Sequence, residues 1–332
     1  MSSKVRKVIK RAFWLTLVSL LIASGVIAYI NRVEIQNRIN AANYHPDEVM
    51  LNVIESISLT DKGDLLIRST HPNITDGENF RNNCSKVDHS ENGHILGCYL
   101  PDSHEIHLLL VTDERLKGIV EVTAAHEMLH AAWAQMPDNF RHRLSKRIKN
   151  YYDGIKDSNP VLAERMQVYE HLKQRDFVNE LHSVLGTEVA ELPDWLEEHY
   201  AQWLKNRKQV VELYENYRQI FVDLQNEADE LQRQMKEQRA DIEARSEAYK
   251  TAVADFNAAV VTFNTDVENG RYDNDRDTQR RIANDLTQQK TALEATGEAI
   301  NSDIADYEEK RQRLLEISEI SGELYRNLDS ID

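Results

Sequence analysis

"TAAHEMLHAA", residues 123–132, carries two histidines four residues apart, with a glutamate directly after the first. On a helix, positions i and i+4 share a face, so His126 and His130 can present two ring nitrogens to one ion about 2.1 Å away. Glu127 leans to the side of that face, where its carboxylate can hold a water instead of the metal. Thr123, Ala124, Ala125, Met128, Leu129, Ala131 and Ala132 around them are uncharged and mostly small. A helix buried beneath a cleft needs such flanks, whereas a surface helix would carry lysines and glutamates between its histidines. The stretch predicts a metal site rather than a structural histidine pair.

A catalytic zinc needs a third protein ligand and an open fourth position. One group of such sites takes a third histidine six residues after the second, following a glycine; Trp133 and Met136 stand at those places here. The other common source is a glutamate on a later helix. "DFVNELHSVLGTE", residues 176–188, offers Glu180, with Asp176, Ser183, Val184 and Thr187 on its helical face. Asp176 is therefore a candidate to orient a ligand from behind. His182, about 200° round the helix from Glu180, and Glu188 are the alternatives.

"TAAHEMLHAA" resembles the extended motif of zincin metallopeptidases, and "NELHS" resembles the Asn-Glu-x-x-Ser segment of the thermolysin-like gluzincins. The resemblance covers these two segments and the strand-then-helix order before them. It implies His126, His130 and Glu180 as zinc ligands and Glu127 as general base, in a chain that hydrolyses peptide bonds with a zinc-activated water. The acidic residue that follows the second segment in the thermolysin group is Val184 here, so support for a ligand histidine must come from elsewhere. Gluzincins also set an apolar edge strand beside the active helix, for which "HILGCYL" (94–100) and "HEIHLLLV" (104–111) are the candidates. For the oxyanion, "EEHYAQWLKNR" offers His199, Tyr200 and Arg207.

The remainder of the chain supplies the setting. From Ala12 to Asn31 there is no charge, and twenty residues at the helical rise span about 30 Å, the thickness of a bilayer core. Lys4, Arg6, Lys7, Lys10 and Arg11 precede that span without an acid among them. Residues 1–11 then read as a cytoplasmic basic tail, 12–31 as a single-pass signal anchor, and everything after residue 31 as extracytoplasmic. A cleaved signal peptide is the competing reading. Cys84 and Cys98, the chain's two cysteines, can form a disulfide in such a compartment. The net charge of −16 argues against nucleic acid as a partner.

A linker over 32–45 leads to a peptidase domain over 46–205. There "DEVMLNVIES" reads as a helix entered after Pro46, "GDLLIRS" as a strand, and Pro101-Asp102-Ser103 as the turn of a β-hairpin. From Glu114 the pattern is helical, with breaks at 137–138, 157–160, Gly186 and Pro193. The expected class is α+β, helix-rich with a small sheet.

Residues 206–332 read as an antiparallel coiled-coil hairpin with arms about 70–90 Å long, reversing near Asn269-Gly270. Steps of four and three from Tyr217 to Phe263 meet apolar residues everywhere except Gln238 and Arg245. The partners implied are a peptide or protein substrate, the membrane, and a protein partner or second copy on the coiled coil. The alternative reading is a non-catalytic zinc-binding envelope adaptor acting through that coiled coil.

Overall fold

A computed structural model describes residues 3–85 and 95–328. Met1 and Ser2 of the basic tail, and His94 at the start of the expected hairpin, lie outside the described residues. The chain divides into two compact units, Met1–Ile220 with Leu324–Asp332, and Phe221–Glu323.

The first unit is α+β, as expected. It begins with α1 (Ser3–Ile30), α2 (Arg32–Ala42), α3 (Glu48–Ser56) and α4 (Asp61–Ser69). A small sheet follows: β1 (Asn73–Thr75), then α5 (Gly77–Cys84), β2 (Gly97–Leu100) and β3 (Glu105–Leu109). The strand order is β1-β3-β2, with β1 parallel and β2 antiparallel to β3. Gly97 lies opposite Leu108 and Leu100 opposite Glu105, so the hairpin turns at 101–104 as expected. The remaining helices are α6 (Ile119–Gln135), α7 (Asp138–Ile155), α8 (Pro160–Gln167), α9 (Gln174–Thr187) and α10 (Asp194–Tyr200). Two long helices, α11 (Arg207–Glu268) and α12 (Arg276–Leu328), complete the chain.

Local chemistry sets the helix starts. Asp47 accepts from the Met50 amide at 2.8 Å to open α3, and Asn159 from Leu162 at 3.1 Å to open α8 with Pro160 in its first turn. The segment "GDLLIRS" is not a strand but most of α4. Thr60 accepts from Gly63 N, Asp61 and Asp64 sit in the first turn, and Asp64 accepts from Arg68 one turn on. A helix also puts the adjacent Leu66 and Ile67 together in the core, which strand alternation cannot do.

The core is arranged around α6, which contributes Val122, Ala125, Met128, Leu129 and Ala132. Met50, Val53 and Ile54 of α3 pack into the same cluster, as do Val178, Leu181 and Leu185 of α9. A satellite cluster of Phe80, Ile95 and Leu109 surrounds the Cys84–Cys98 disulfide, which ties α5 to β2. The first unit also takes in the root of α11 and the end of α12. Tyr214 and Tyr217 pack on its core, Leu324 and Leu328 are buried, and Asn327 donates to Asp113 at 2.7 Å.

Along α1, Phe13, Trp14, Leu20, Leu21, Ile22, Ile27, Tyr29 and Ile30 are each more than 60% exposed. Among the described residues no single helix is long and apolar enough to cross a membrane. Residues Thr16–Ile30 and Arg32–Ala42, bent by 69°, pass on length and composition only as a pair.

In the second unit α11 and α12 run antiparallel: Arg313 binds Glu227, Gln238 donates to Asp306, and Tyr249 approaches Gly297. The chain turns through Gly270, whose φ of 69° suits a residue without a Cβ. The half-buried stripe of α11 follows the expected positions from Phe221 to Tyr249, then shifts to Val253 and Val260 in place of Ala252 and Ala259. Two successive steps of four at that point take up the drift of a 3.6-residue helix against a seven-residue repeat.

Cys84 and Cys98 close a loop with a sequence separation of 14, for which chain entropy gives about 3 kcal/mol. Cys84→Ser with Cys98→Ser should therefore lower the free energy of unfolding in urea by about 2–4 kcal/mol relative to the oxidised protein. An unchanged midpoint would show that the bridge constrains neither state.

Candidate metal centre

Helix α6 follows Gly118, whose φ is 99°, and runs through the core with both histidines on one face, ring centroids 4.8 Å apart. The helix is free to be buried because its polar residues are few and its neighbours small. Helix α9 crosses it closely at Gly186, where a Cβ would lie 2.3 Å from Leu129 Cδ1 and 2.9 Å from the Tyr200 ring. That approach brings Glu180 to the histidines. Its Oε2 lies 3.5 Å from His126 Nε2 and 3.3 Å from His130 Nε2.

These spacings test the fit of a metal. Four ligands about 2.1 Å from a tetrahedral ion stand about 3.4 Å from one another. The two nitrogen-to-oxygen separations, 3.5 and 3.3 Å, match edges of such a shell. Ligand atoms of His126, Glu127 and His130 also lie within 4.8 Å of one another, so a second carboxylate flanks the imidazole pair. The cluster can hold a metal ion.

Electrostatics agree. Burial by itself would lower the His130 pKa, but the Glu180 and Glu127 carboxylates and Asn179 raise it to about 10. Burial by itself would raise the Glu180 pKa, but His130 and His126 hold it well below the usual carboxylate range. Two buried atoms without a hydrogen bond flank the centre, His130 Nδ1 and Asn179 Oδ1. One is an imidazole nitrogen and the other an amide acceptor, the pairing that commonly fixes the tautomer of a ligand histidine.

The group lines a cleft of about 270 Å³. One wall is β2 with its lead-in, Ile95 to Tyr99; the other includes Arg165, Tyr169, Asn179 and Tyr217. Gly97 is required where the walls meet α6, because a Cβ there would stand 2.5 Å from Thr123 Cγ2 and 2.9 Å from Glu127 Cγ. Among the described residues β2 is the sheet's edge. Leu96 accepts from Leu109 N, so alternation turns the peptide groups of Gly97 and Tyr99 away from β3, towards the open side.

The other sequence-derived candidates lie elsewhere. His182 points behind the site, its Nε2 2.9 Å from His199 Nε2, so neither ring faces the cleft. Tyr200 is fully buried and donates to the His182 carbonyl at 2.6 Å. Arg207 is held by Glu197 and by the carbonyls of Leu185, Val189 and Ala190. His199, Tyr200 and Arg207 thus make packing and capping contacts in this fold and are not among the residues that line the cleft. Asp176 pairs with its neighbour Arg175 near the surface, one turn before Glu180, and Asn179 takes the place beside His130. Glu188 lines the cleft but binds Arg165, at 3.0 Å.

Gly97, Asn179, Arg165, Tyr169 and Tyr217 are among the cleft residues that sequence reasoning missed. An isolated glycine within a strand pattern is a signal of close backbone approach and marks Gly97. Tyr217 reads in the sequence only as a seam position.

Comparison of the chain with protein-family models, curated proteins and solved structures finds no match.

Gly186→Ala should force α9 away from α6, costing about 1–3 kcal/mol as overpacking and weakening metal binding, measured by urea unfolding and zinc titration. Wild-type affinity in a folded variant would show that the close approach does not set the site.

The histidine pair behind the site gives a pH dependence. Burial lowers the pKa of His182 well below 6.5, with His199 adding to it, and burial followed by Lys62 lowers that of His199 to about 4. The unfolded chain takes up protons on both near pH 6.5 while the folded chain keeps them neutral. The pair's contribution to stability is therefore greatest above about pH 6.5 and declines towards pH 4, by up to about 1.4 kcal/mol per unit for each ring. His182→Leu with His199→Leu should flatten that part of the urea-midpoint profile. Parallel profiles would mean that the pair is not neutral in the folded protein.

Proposed function

We propose that this chain is a zinc-dependent peptidase of the zincin type, with the gluzincin ligand set His126, His130 and Glu180 and with Glu127 as general base. The observation that carries the reading is the convergence of the Glu180 Oε2 on both histidine Nε2 atoms at tetrahedral-edge distances, with a second carboxylate beside them in an open cleft. Nitrogen donors favour zinc over calcium or magnesium. A zinc ion held there supplies a Lewis acid that polarises a carbonyl and acidifies water.

The chain's own groups do the rest. Glu127, not needed as a ligand, takes the proton of the attacking water and passes it to the leaving nitrogen. The Gly97 and Tyr99 peptide groups offer an extended peptide the free edge of a strand, which favours a peptide substrate over a compact small molecule. Of the two candidate strands, this reading uses Ile95–Leu100.

The reading includes a single-pass anchor over residues 12–31 with the cleft on the extracytoplasmic side. Three features support it: the basic residues before that span, its large exposed apolar side chains, and a disulfide suited to an oxidising compartment. The half-buried stripe along α11 and α12 is read as a coiled-coil seam and is the surface left for a protein partner or a second copy.

Glu127→Gln preserves size and helix, so zinc content should stay near about one per chain while peptide hydrolysis falls by about 10²–10⁴. His126→Ala, His130→Ala and Glu180→Ala should each lose both metal and activity. Full zinc in Glu180→Ala would remove the gluzincin assignment. Unaltered function in Glu127→Gln would overturn catalysis and leave a metal-binding adaptor.

A further inference from the structure

A second cavity lies on the opposite end of α6 from its entry at Gly118. Its volume is about 750 Å³, within the range of about 300–1,000 Å³ typical of small-molecule sites. Val33 of α2, Leu65 of α4, Met136 and Phe140 beyond α6, and Trp203 give it apolar walls. Ile30, the last residue of the exposed apolar helix α1, stands at its mouth.

One ammonium in the wall makes no ion pair among the described residues, although Glu34 and Asp61 share the lining. Lys62 Nζ donates to Gln202 Oε1 at 2.9 Å and sits 4.8 Å from the centre of the Trp203 ring. No carboxylate of the described residues pairs with it, whereas Arg38 and Glu34 on the same rim are paired with each other. Burial lowers the Lys62 pKa, against an opposing pull from the Glu34 carboxylate. Aromatic and lysine side chains together at the end of an apolar helix suit the headgroup level of a bilayer.

We propose that this cavity binds an anionic phospholipid, its phosphate at Lys62 and one acyl chain against Leu65, Met136 and Phe140. The assignment rests on the reading of residues 12–31 as a membrane span, which delivers Ile30 and the cavity mouth to the bilayer surface. Apolar walls accept the chain, and the unpaired ammonium selects an acidic head over a zwitterionic one.

The test uses the full chain in nanodiscs of phosphatidylcholine doped with a phosphatidic acid whose acyl chain bears a diazirine, the adducts being located by peptide mass spectrometry. Adducts are expected both within residues 13–30 and on the cavity residues, the latter at least about tenfold above those from the matching phosphatidylcholine probe. Lys62→Gln should abolish that preference, and Val33→Phe, which fills the cavity, should remove the cavity adducts. Melting temperatures close to wild type would show both variants to be folded. Adducts confined to residues 13–30 would overturn the lipid site and leave the membrane span standing. Adducts in neither segment would overturn both. Equal labelling by the two probes would overturn the role of Lys62. Displacement by millimolar inorganic phosphate would make the cavity an anion site, not a lipid site.

Discussion

Leu129 on α6 lies against Gly186 on α9 with no Cβ between them, and the first unit is assembled around that approach. A close crossing of two helices places Glu180 within 3.5 Å of both histidines of α6. It also fixes which face of α9 turns away. His182, two residues after Glu180, is directed behind the crossing to His199. One contact therefore decides both what enters the cleft and what becomes core. A buried α6 follows as well, because a helix flanked by Ala124, Ala125, Ala131 and Ala132 lets neighbours on several sides come near.

The cleft's far wall is tied to the rest of the unit by polar contacts. Tyr99 on β2 meets His104 Nδ1 at 2.9 Å, and His104 Nε2 lies 3.0 Å from Ser69 and 3.3 Å from Gln135 at the end of α6. Gln135 in turn exchanges two 3.0 Å hydrogen bonds with Asn37 of α2. Buried amide pairs with both partners satisfied lock a geometry, because breaking them strands two polar groups. Through Gln135 the helix that follows α1 is keyed to the same α6 that carries the histidines. The disulfide fixes β2 from the other side, at Cys98, one residue from the glycine that touches Glu127.

Much of this was legible in the sequence because it follows local rules. The His-Glu-x-x-His spacing, the uncharged flanks and Glu180 on a later helix are periodic features, and the structure brings those four side chains together. The Pro101-Asp102-Ser103 turn and the Asp47 cap are likewise local signals. "GDLLIRS" was misread because its apolar run is short, and its arbiters are the Thr60 cap and the paired Asp64 and Arg68. The oxyanion candidates lie outside the cleft lining for another reason. His199, Tyr200 and Arg207 follow Glu180 closely in sequence, but their direction is set by tertiary packing against His182, Trp203 and Glu197. Tyr217 joins the cleft from α11, over thirty positions beyond Glu180, where no local pattern distinguishes it from a seam residue.

The charge balance of the cleft gives it a reason to hold a cation that is independent of any family resemblance. Two carboxylates, Glu127 and Glu180, are largely withdrawn from water within one cluster, a costly arrangement unless positive charge lies between them. The same carboxylates raise the pKa of His130, against the opposing effect of burial, so the cluster favours positive charge. His126, His130 and Glu180 would hold a divalent ion there with the imidazoles neutral, and the ion would supply the positive charge between the carboxylates. The sequence thus keeps an acidic pair where folding alone would favour apolar residues. Glu180 Oε2 stands within 3.5 Å of both imidazole Nε2 atoms, and the Glu127 carboxylate lies beside the same pair in the cleft lining.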